Sequence, residues 1–145
     1  MNSNTEKAKA LLEESGCTCV FAFGGQLEQC SERGLRPLLA KLGADALPAG
    51  FSAADKVVGK APAFLYVLLG AGEVYAPVMS RAAKVLLEQH GIGAYCGQLV
   101  EGIQNRSGTG PCPMEAAVRS AATPEEALGC IREAIRLMQQ KQAAR

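Results

Sequence analysis

Residues 105–115 hold the side chains of this sequence that are best suited to chemistry. The segment reads Asn-Arg-Ser-Gly-Thr-Gly-Pro-Cys-Pro-Met-Glu and combines a cation, two small hydroxyls, a thiol and a carboxylate with two glycines and two prolines. Its glycines permit turns that aim backbone N–H groups at an anion, and Arg106 can hold a phosphate or carboxylate with two hydrogen bonds. A helix can begin where the segment ends, which exposes further N–H groups. The segment therefore predicts a site for a small anionic ligand, with these ligand-binding residues: Arg106, Gly108, Thr109, Gly110 and Glu115.

Cys112 is the candidate nucleophile of this segment. It lies at a predicted helix start, where the positive end of the helix dipole favours a thiolate. A nucleophilic thiol usually needs a nearby base, but the one histidine of the chain, His90, is expected to satisfy carbonyls at the end of another helix. The alternative is a rigid Pro/Gly turn followed by a helix that Glu115 caps.

A second candidate segment covers residues 55–60, Asp-Lys-Val-Val-Gly-Lys. Lys56 and Lys60 fall in the first turns of a predicted helix, where each opposes the dipole at a cost of a few tenths of a kcal/mol. A bound anion would offset that cost. Gly59 costs about 1 kcal/mol relative to alanine inside a helix, which is explained if a ligand or another backbone approaches closely. We predict Asp55 and Lys56 as catalytic candidates beside Cys112, and Lys60 as a ligand-binding residue; alternatively, Asp55 is only a helix cap and both lysines are solvated.

The elements that must position these segments follow from periodicity and turn signals. Helices are predicted at residues 5–14, 34–42, 55–69, 80–90, 113–120 and from 123 onward. Strands are predicted at 17–23, 26–31, 73–79 and 92–99, with an extended segment at 49–54. Gly24-Gly25 is a hairpin signal, and Thr123 to Glu126 form a capping box. This order predicts a single α/β domain spanning 1–145, with an ordered core at about 5–138 and a mixed sheet of about five strands between helices on both faces.

Composition excludes several classes of protein. The net charge is +1 and aromatic residues make up 5% of the chain, so neither a basic surface nor a stacking platform for nucleic acid is expected. The longest apolar run, residues 61–69, is too short to cross a bilayer. A polar N-terminus and six cysteines without a Cys-x-x-Cys motif indicate a cytoplasmic protein with free thiols, no metal site and no cofactor.

Residues 54–61 and 105–115 resemble a bacterial family, domain of unknown function 1893. Residues 32–39 and 73–76 fit it too, and the resemblance runs from about Thr5 to Leu137. It implies a cytidine-deaminase-like fold, a three-layer α/β/α sandwich, and no established activity. Deaminases of that superfamily hold zinc with a His or Cys near a Glu at one helix start and a Pro-Cys-x-x-Cys at the next. Here Asp55-Lys56 occupies the first position, and Pro111-Cys112 comes one strand too late, so we predict that no catalytic zinc binds.

Three functions are compatible with these patterns. The leading hypothesis is a protein that binds a small anionic, nucleotide-like molecule on a zinc-less deaminase-like fold. The first alternative is a zinc-independent enzyme acting on a nucleotide or phosphorylated metabolite through Asp55, Lys56 and Cys112. The second is a thiol redox sensor at Cys112. A homodimer is compatible with a sheet domain of this size, and no surface for it is specified.

Overall fold

The computed structural model describes residues 1–43, 46–105, 108–110 and 112–143. Within these residues the helices are α1 (Ser3–Ser15), α2 (Arg36–Leu42), α3 (Lys60–Leu69), α4 (Arg81–Gln89), α5 (Pro113–Ala117) and α6 (Pro124–Ala143). The strands are β1 (Cys19–Phe23), β2 (Gln26–Cys30), β3 (Ser52–Asp55), β4 (Val57–Val58), β5 (Glu73–Ser80) and β6 (Gly93–Val100).

The strands form one mixed sheet. β1 pairs antiparallel with both β2 and β3, whereas β3, β4 and β6 all run parallel to β5. β3 pairs with the beginning of β5 and β4 with its end, while β6 pairs along the whole of β5. β3 and β4 therefore share one edge of β5, separated by a kink at Lys56. The sheet has six strands rather than the predicted five, because this kink divides one extended segment into two.

Helices pack on both faces of the sheet. On one face α1 buries Ala8 and Leu12 against Val20, Ala22 and Ala54. On the other face Phe21 and Val74 pack in a larger core with residues of α3, α4 and α6, among them Phe64, Leu65, Leu87 and Ile131. Successive strand residues alternate between these two clusters, as the pleat of a strand requires. The predicted mixed α/β architecture is confirmed.

The buried helix α3 begins at Lys60. The predicted start at Asp55 is wrong. Val57 and Val58 hydrogen-bond to β5 as a strand, so they cannot belong to the helix. Pro62 is the physical reason for the later start: proline lacks an N–H and is tolerated only in the first turn. A helix that began at Asp55 would place Pro62 in the interior of the helix.

Candidate functional site

A cavity of about 440 Å³ lies at the carboxyl end of β3, beside the first turn of α3. Open α/β sheets bind ligands at this end of their strands, and the volume falls within the range of small-molecule sites. Both segments singled out in the sequence contribute to its wall: Asp55, Lys56 and Gly59 from one, and Cys112, Met114 and Glu115 from the other. The fold thus brings together residues that are more than fifty positions apart in the sequence.

Asp55 is a residue of the cavity wall whose acidity is strongly perturbed. Burial raises the pKa of its carboxyl from 3.8 to about 7, although the Tyr66 hydroxyl and the backbone N–H groups of Lys56 and Val57 hydrogen-bond to it and oppose the rise. Desolvation wins because it penalises the charged form more than these bonds favour it. Near neutral pH the carboxyl populates both protonation states, so it can either donate or accept a hydrogen bond in the cavity.

Tyr66 positions the Asp55 carboxyl. The Tyr66 side chain is fully buried, and its hydroxyl donates to Asp55 Oδ2 at 2.9 Å. The Cys19 Sγ atom lies 3.5 Å from the same hydroxyl oxygen. When Asp55 is ionised, the one hydroxyl proton goes to its carboxylate and the thiol is the donor in the contact with Tyr66. Burial raises the pKa of both Tyr66 and Cys19 well above their ordinary values, so both groups stay neutral.

Glu115 occupies the start of α3. Its carboxylate accepts hydrogen bonds from the backbone N–H groups of Lys60 at 2.6 Å and Ala61 at 2.8 Å. A Cβ atom on Gly59 would lie 2.4 Å from Glu115 Oε1, which explains the glycine at this position. The close approach that the sequence suggested is therefore made by a side chain of the protein itself. The prediction that Asp55 caps α3 is wrong, since Gly59 holds the cap position and Glu115 supplies the acceptor.

The two lysines of residues 55–60 point in different directions. Lys56 lies in the cavity wall, and its ammonium donates to the Gly16 carbonyl at 3.4 Å. Lys60 donates to the Arg119 carbonyl at 3.2 Å and lies over the Phe64 ring, 5.6 Å from the ring centroid. Lys56 thus lies in the wall of this cavity and Lys60 outside it, and the ligand-binding role of Lys60 stays a prediction.

The glycine-rich loop bonds largely to itself. The Thr109 N–H donates to Asn105 Oδ1 at 3.1 Å, and the Asn105 amide donates to Thr109 Oγ1 at 3.3 Å. The Gly108 N–H donates to the Asn105 carbonyl, and the Asn105 N–H donates to the Gly110 carbonyl. The N–H groups of Gly108 and Thr109 are therefore engaged within the loop. Arg106 lies outside the described residues, and its assignment as a ligand-binding residue stays a prediction.

Of the described residues of this loop, Cys112 reaches the cavity. It lines the wall, and its N–H donates to the Ile103 carbonyl at 2.9 Å, which closes the loop. It precedes α5, a helix of 5 residues, which has a weak dipole because few peptide units align. Its roles as nucleophile and as redox sensor stay predictions.

The residues at this site do not match a zinc centre. Within the parts of the chain that the structure describes, no three or more His, Cys, Asp or Glu side chains converge where they could hold a metal ion. Glu115 is committed to the start of α3, and His90 Nδ1 contacts the Leu86 carbonyl at 3.0 Å at the far end of α4. A tetrahedral zinc site needs at least three such ligands around one point, so we derive no metal chemistry here.

Sequence reasoning missed Tyr66 and Cys19. Both side chains are buried. A signal was present for Tyr66: it carries the one side-chain polar atom in the apolar run 61–69, and a buried tyrosine hydroxyl nearly always has a partner. Nothing in the sequence indicated that the partner would be Asp55.

The fold and the cavity define a mixed α/β domain with a small-molecule-sized site at the carboxyl end of a central strand. The chain belongs to the family described as a domain of unknown function, DUF1893, whose model matches residues 7–135. The resemblance seen in the sequence is thereby confirmed at the level of the family. The fold is similar to that of a DUF1893 family protein (TM1506) from Thermotoga maritima, with a TM-score of 0.79 and 24% identity over 94% of this chain and 91% of the other. No curated protein matches the chain. Among the described helices, none has the length and apolar character needed to cross a membrane.

Proposed function

We propose that this protein binds a small anionic, nucleotide-like molecule in the cavity at Asp55, on a cytidine-deaminase-like fold that has lost its zinc site. The observation that supports the proposal is the convergence of Asp55, Lys56 and Cys112 on one cavity of about 440 Å³. A helix, a hairpin and then parallel strands joined by helical crossovers are compatible with the superfamily that the sequence resemblance implies. A cytoplasmic location is part of the same proposal.

The cavity wall suggests how such a ligand would sit. Much of the wall is apolar, from Leu35, Leu38 and Pro62 among others, which suits a flat heterocycle. Asp55 would hydrogen-bond to a polar edge of that body. The cations of the wall, Lys56 and Arg33, would attract an anionic group. The start of α3 is not available to that group, because Glu115 already fills it.

A second candidate is an enzyme that uses Asp55 as a general acid or base. A carboxyl whose pKa lies at about 7 is matched to proton transfer near neutral pH. In such a reaction Asp55 would take a proton from the ligand or return one to it, Tyr66 would hold the carboxyl in place, and Lys56 would stabilise developing negative charge. Cys112 would be the nucleophile if the reaction passed through a covalent intermediate.

Native mass spectrometry of the untreated protein, compared with its denatured mass, is the first test of binding. We expect an excess mass that matches a nucleotide or another phosphorylated metabolite. An excess of zinc, bound stoichiometrically, would contradict the zinc-less site. If the protein purifies empty, titration with a panel of nucleoside mono-, di- and triphosphates replaces this test, and no binding across the panel would overturn the proposal.

Lys56→Met is expected to weaken binding of the best nucleotide in that panel by at least about tenfold, the value of one charge-assisted hydrogen bond. Lys60→Met is the matched control, since the Lys60 ammonium bonds to the Arg119 carbonyl outside the cavity wall. Isothermal titration calorimetry measures both affinities. Equal losses in the two variants would show that the anion does not bind at Lys56. Turnover that is lost in Asp55→Asn while binding persists would favour the enzyme over the binding protein.

A further inference from the structure

β6 lies at the edge of the sheet. It pairs with β5 from Gly93 to Val100, and with no other strand of the described part of the chain. In a parallel ladder every second residue turns its N–H and C=O away from the neighbouring strand. The Gly93 N–H donates to the Gly72 carbonyl, towards β5, and the Ala94 carbonyl accepts from the Lys84 ammonium at 2.9 Å. The residues that face outward are therefore the even-numbered ones: Ala94, Cys96, Gln98 and Val100.

This edge has little of the protection that isolated edges carry. Natural sheets block unpaired edges with charged residues, prolines, bulges or very short strands. β6 has 8 residues, Gly-Ala-Tyr-Cys-Gly-Gln-Leu-Val, without a charge or a proline. Lys84 places its ammonium at the first outward carbonyl, that of Ala94. Tyr95 and Leu99 add large apolar side chains that are 36% and 37% exposed. An edge of this kind is expected to be covered by another strand.

We propose that the covering strand is β6 of a second copy, paired antiparallel about a two-fold axis at Gly97. In this register Cys96 lies opposite Gln98 of the second copy, and the outward N–H and C=O groups of both residues bond to each other. Tyr95 then lies opposite Leu99 of the second copy, in a pair that is not hydrogen-bonded and whose side chains are close. Tyr95 of each copy therefore covers Leu99 of the other, and the two-fold axis produces this contact twice.

Three features favour this register and this partner. An axis at Gly97 pairs residues 94–100, and an axis at Cys96 pairs equally many, 93–99, but the axis at Cys96 would place Tyr95 opposite Gly97 and leave its ring uncovered. Glycine at the axis places no side chains against each other where the two copies meet. The strand carries no charge, so identical copies do not repel each other. A sheet that continues across both chains results, and it does not depend on the proposed ligand.

Sedimentation velocity on the full-length protein tests the dimer. We expect wild type to sediment as a dimer at micromolar concentration. Gln98→Lys places an ammonium on the edge and should raise the dimer dissociation constant by about a hundredfold, since the symmetric interface carries the change twice. Gln89→Lys, the same change at an exposed position of α4, should leave the dimer intact. A monomeric wild type, or a dimer that both variants retain, would overturn the proposal.

Disulfide trapping tests the register without depending on the stability of Gln98→Lys. A mixture of Tyr95→Cys and Leu99→Cys proteins should form a cross-link between positions 95 and 99, because paired positions without hydrogen bonds bring Cβ atoms within disulfide range. Neither variant alone should form that link. Peptide mass spectrometry distinguishes it from links that involve the native cysteines. A dimeric mixture without the 95–99 link would overturn the register at Gly97.

Discussion

Glu115→Ala is expected to lower the free energy of unfolding by about 2–3 kcal/mol, because hydrogen bonds to charged groups are the strong ones and a helix cap is lost with them. The backbone N–H groups of Lys60 and Ala61 would lose their carboxylate acceptor. α3 packs at the centre of the larger core, so its first turn cannot fray into water without cost. Urea denaturation measures the change. Glu125→Ala, at an exposed position of the first turn of α6, is the control and should change stability by less than about 0.5 kcal/mol.

Gly59→Ala reports on the same contact from the opposite side. The backbone of Gly59 has φ −97°, which alanine adopts without strain, so the whole cost should come from a Cβ placed 2.4 Å from Glu115 Oε1. Alone the substitution should cost about 2 kcal/mol, because the end of the Glu115 side chain would have to move away from the Lys60 and Ala61 N–H groups. In the Glu115→Ala background it should cost almost nothing. A double-mutant cycle should therefore give a coupling energy of about 2 kcal/mol, and additive costs would contradict the contact.

The contact of Glu115 with the start of α3 also changes how residues 55–60 are understood. Two lysines beside a helix start suggested a bound anion, and an anion is present there: the carboxylate of Glu115. It offsets the unfavourable interaction of Lys60 with the helix dipole, while Lys56 precedes the helix by four residues. The lysines therefore give no independent evidence for a ligand at the start of α3. The evidence for a ligand rests on the cavity and on the Asp55 carboxyl.

The elements that the sequence predicted well depend on short-range patterns. The turn at Gly24 and Gly25 joins β1 to β2, and both glycines have the positive φ that a tight hairpin requires. Thr123 caps α6 as predicted, since the Glu126 N–H donates to Thr123 Oγ1; the Glu126 carboxylate accepts from the Ala122 N–H, one residue before the donor that a capping box uses. Ser80, a residue type typical of helix starts, caps α4 through the Ala83 N–H. Each of these signals lies within four residues, so the sequence contains the whole interaction.

The contacts that shape the site are long-range. Glu115 meets Lys60 at a separation of 55 positions, and its chemistry was equally compatible with capping its own helix. The sequence shows which residue can accept a hydrogen bond, but the fold selects the donor. The extent of α3 is a different case. The apolar run pointed to an early helix start, while Pro62 and the strand-forming Val57 and Val58 indicated a later one, and pairing with β5 decided between them.

Asp55→Asn is expected to stabilise the protein by about 2–4 kcal/mol at pH 8 and to change stability little at pH 4, because on the order of 4 kcal/mol separates a carboxyl of pKa about 7 from one of pKa 3.8. The asparagine oxygen can still accept from the Tyr66 hydroxyl, so the hydrogen bond at 2.9 Å is preserved. Its amide N–H groups need partners, which lowers the gain below the full value.

The sign follows from proton binding. Between pH 3.8 and about 7 the folded protein holds a proton on Asp55 that the unfolded chain has already lost. Unfolding therefore releases a proton in this window, and stability falls as the pH rises through it. The favourable contribution of the neutral carboxyl is complete below the unfolded pKa and is lost above the folded pKa. Urea unfolding of wild type and Asp55→Asn at a series of pH values should give curves that meet at pH 4 and separate towards pH 8.

Parallel curves would mean that Asp55 titrates normally because water in the cavity solvates its carboxylate well. Asp55 would then no longer be a candidate general acid or base. Separating curves would show that the chain carries a destabilising carboxyl in the wall of the cavity at the carboxyl end of β3, where asparagine would be more stable. A perturbed group that lowers stability in a cleft is typical of functional sites, where stability and function are in conflict. Structural ion pairs also perturb acidity, but Asp55 is held by a neutral phenol and backbone N–H groups. Burial is the cause of the shift, and the proposed function would give this buried carboxyl a role, because a ligand in the cavity could exchange or share a proton with it.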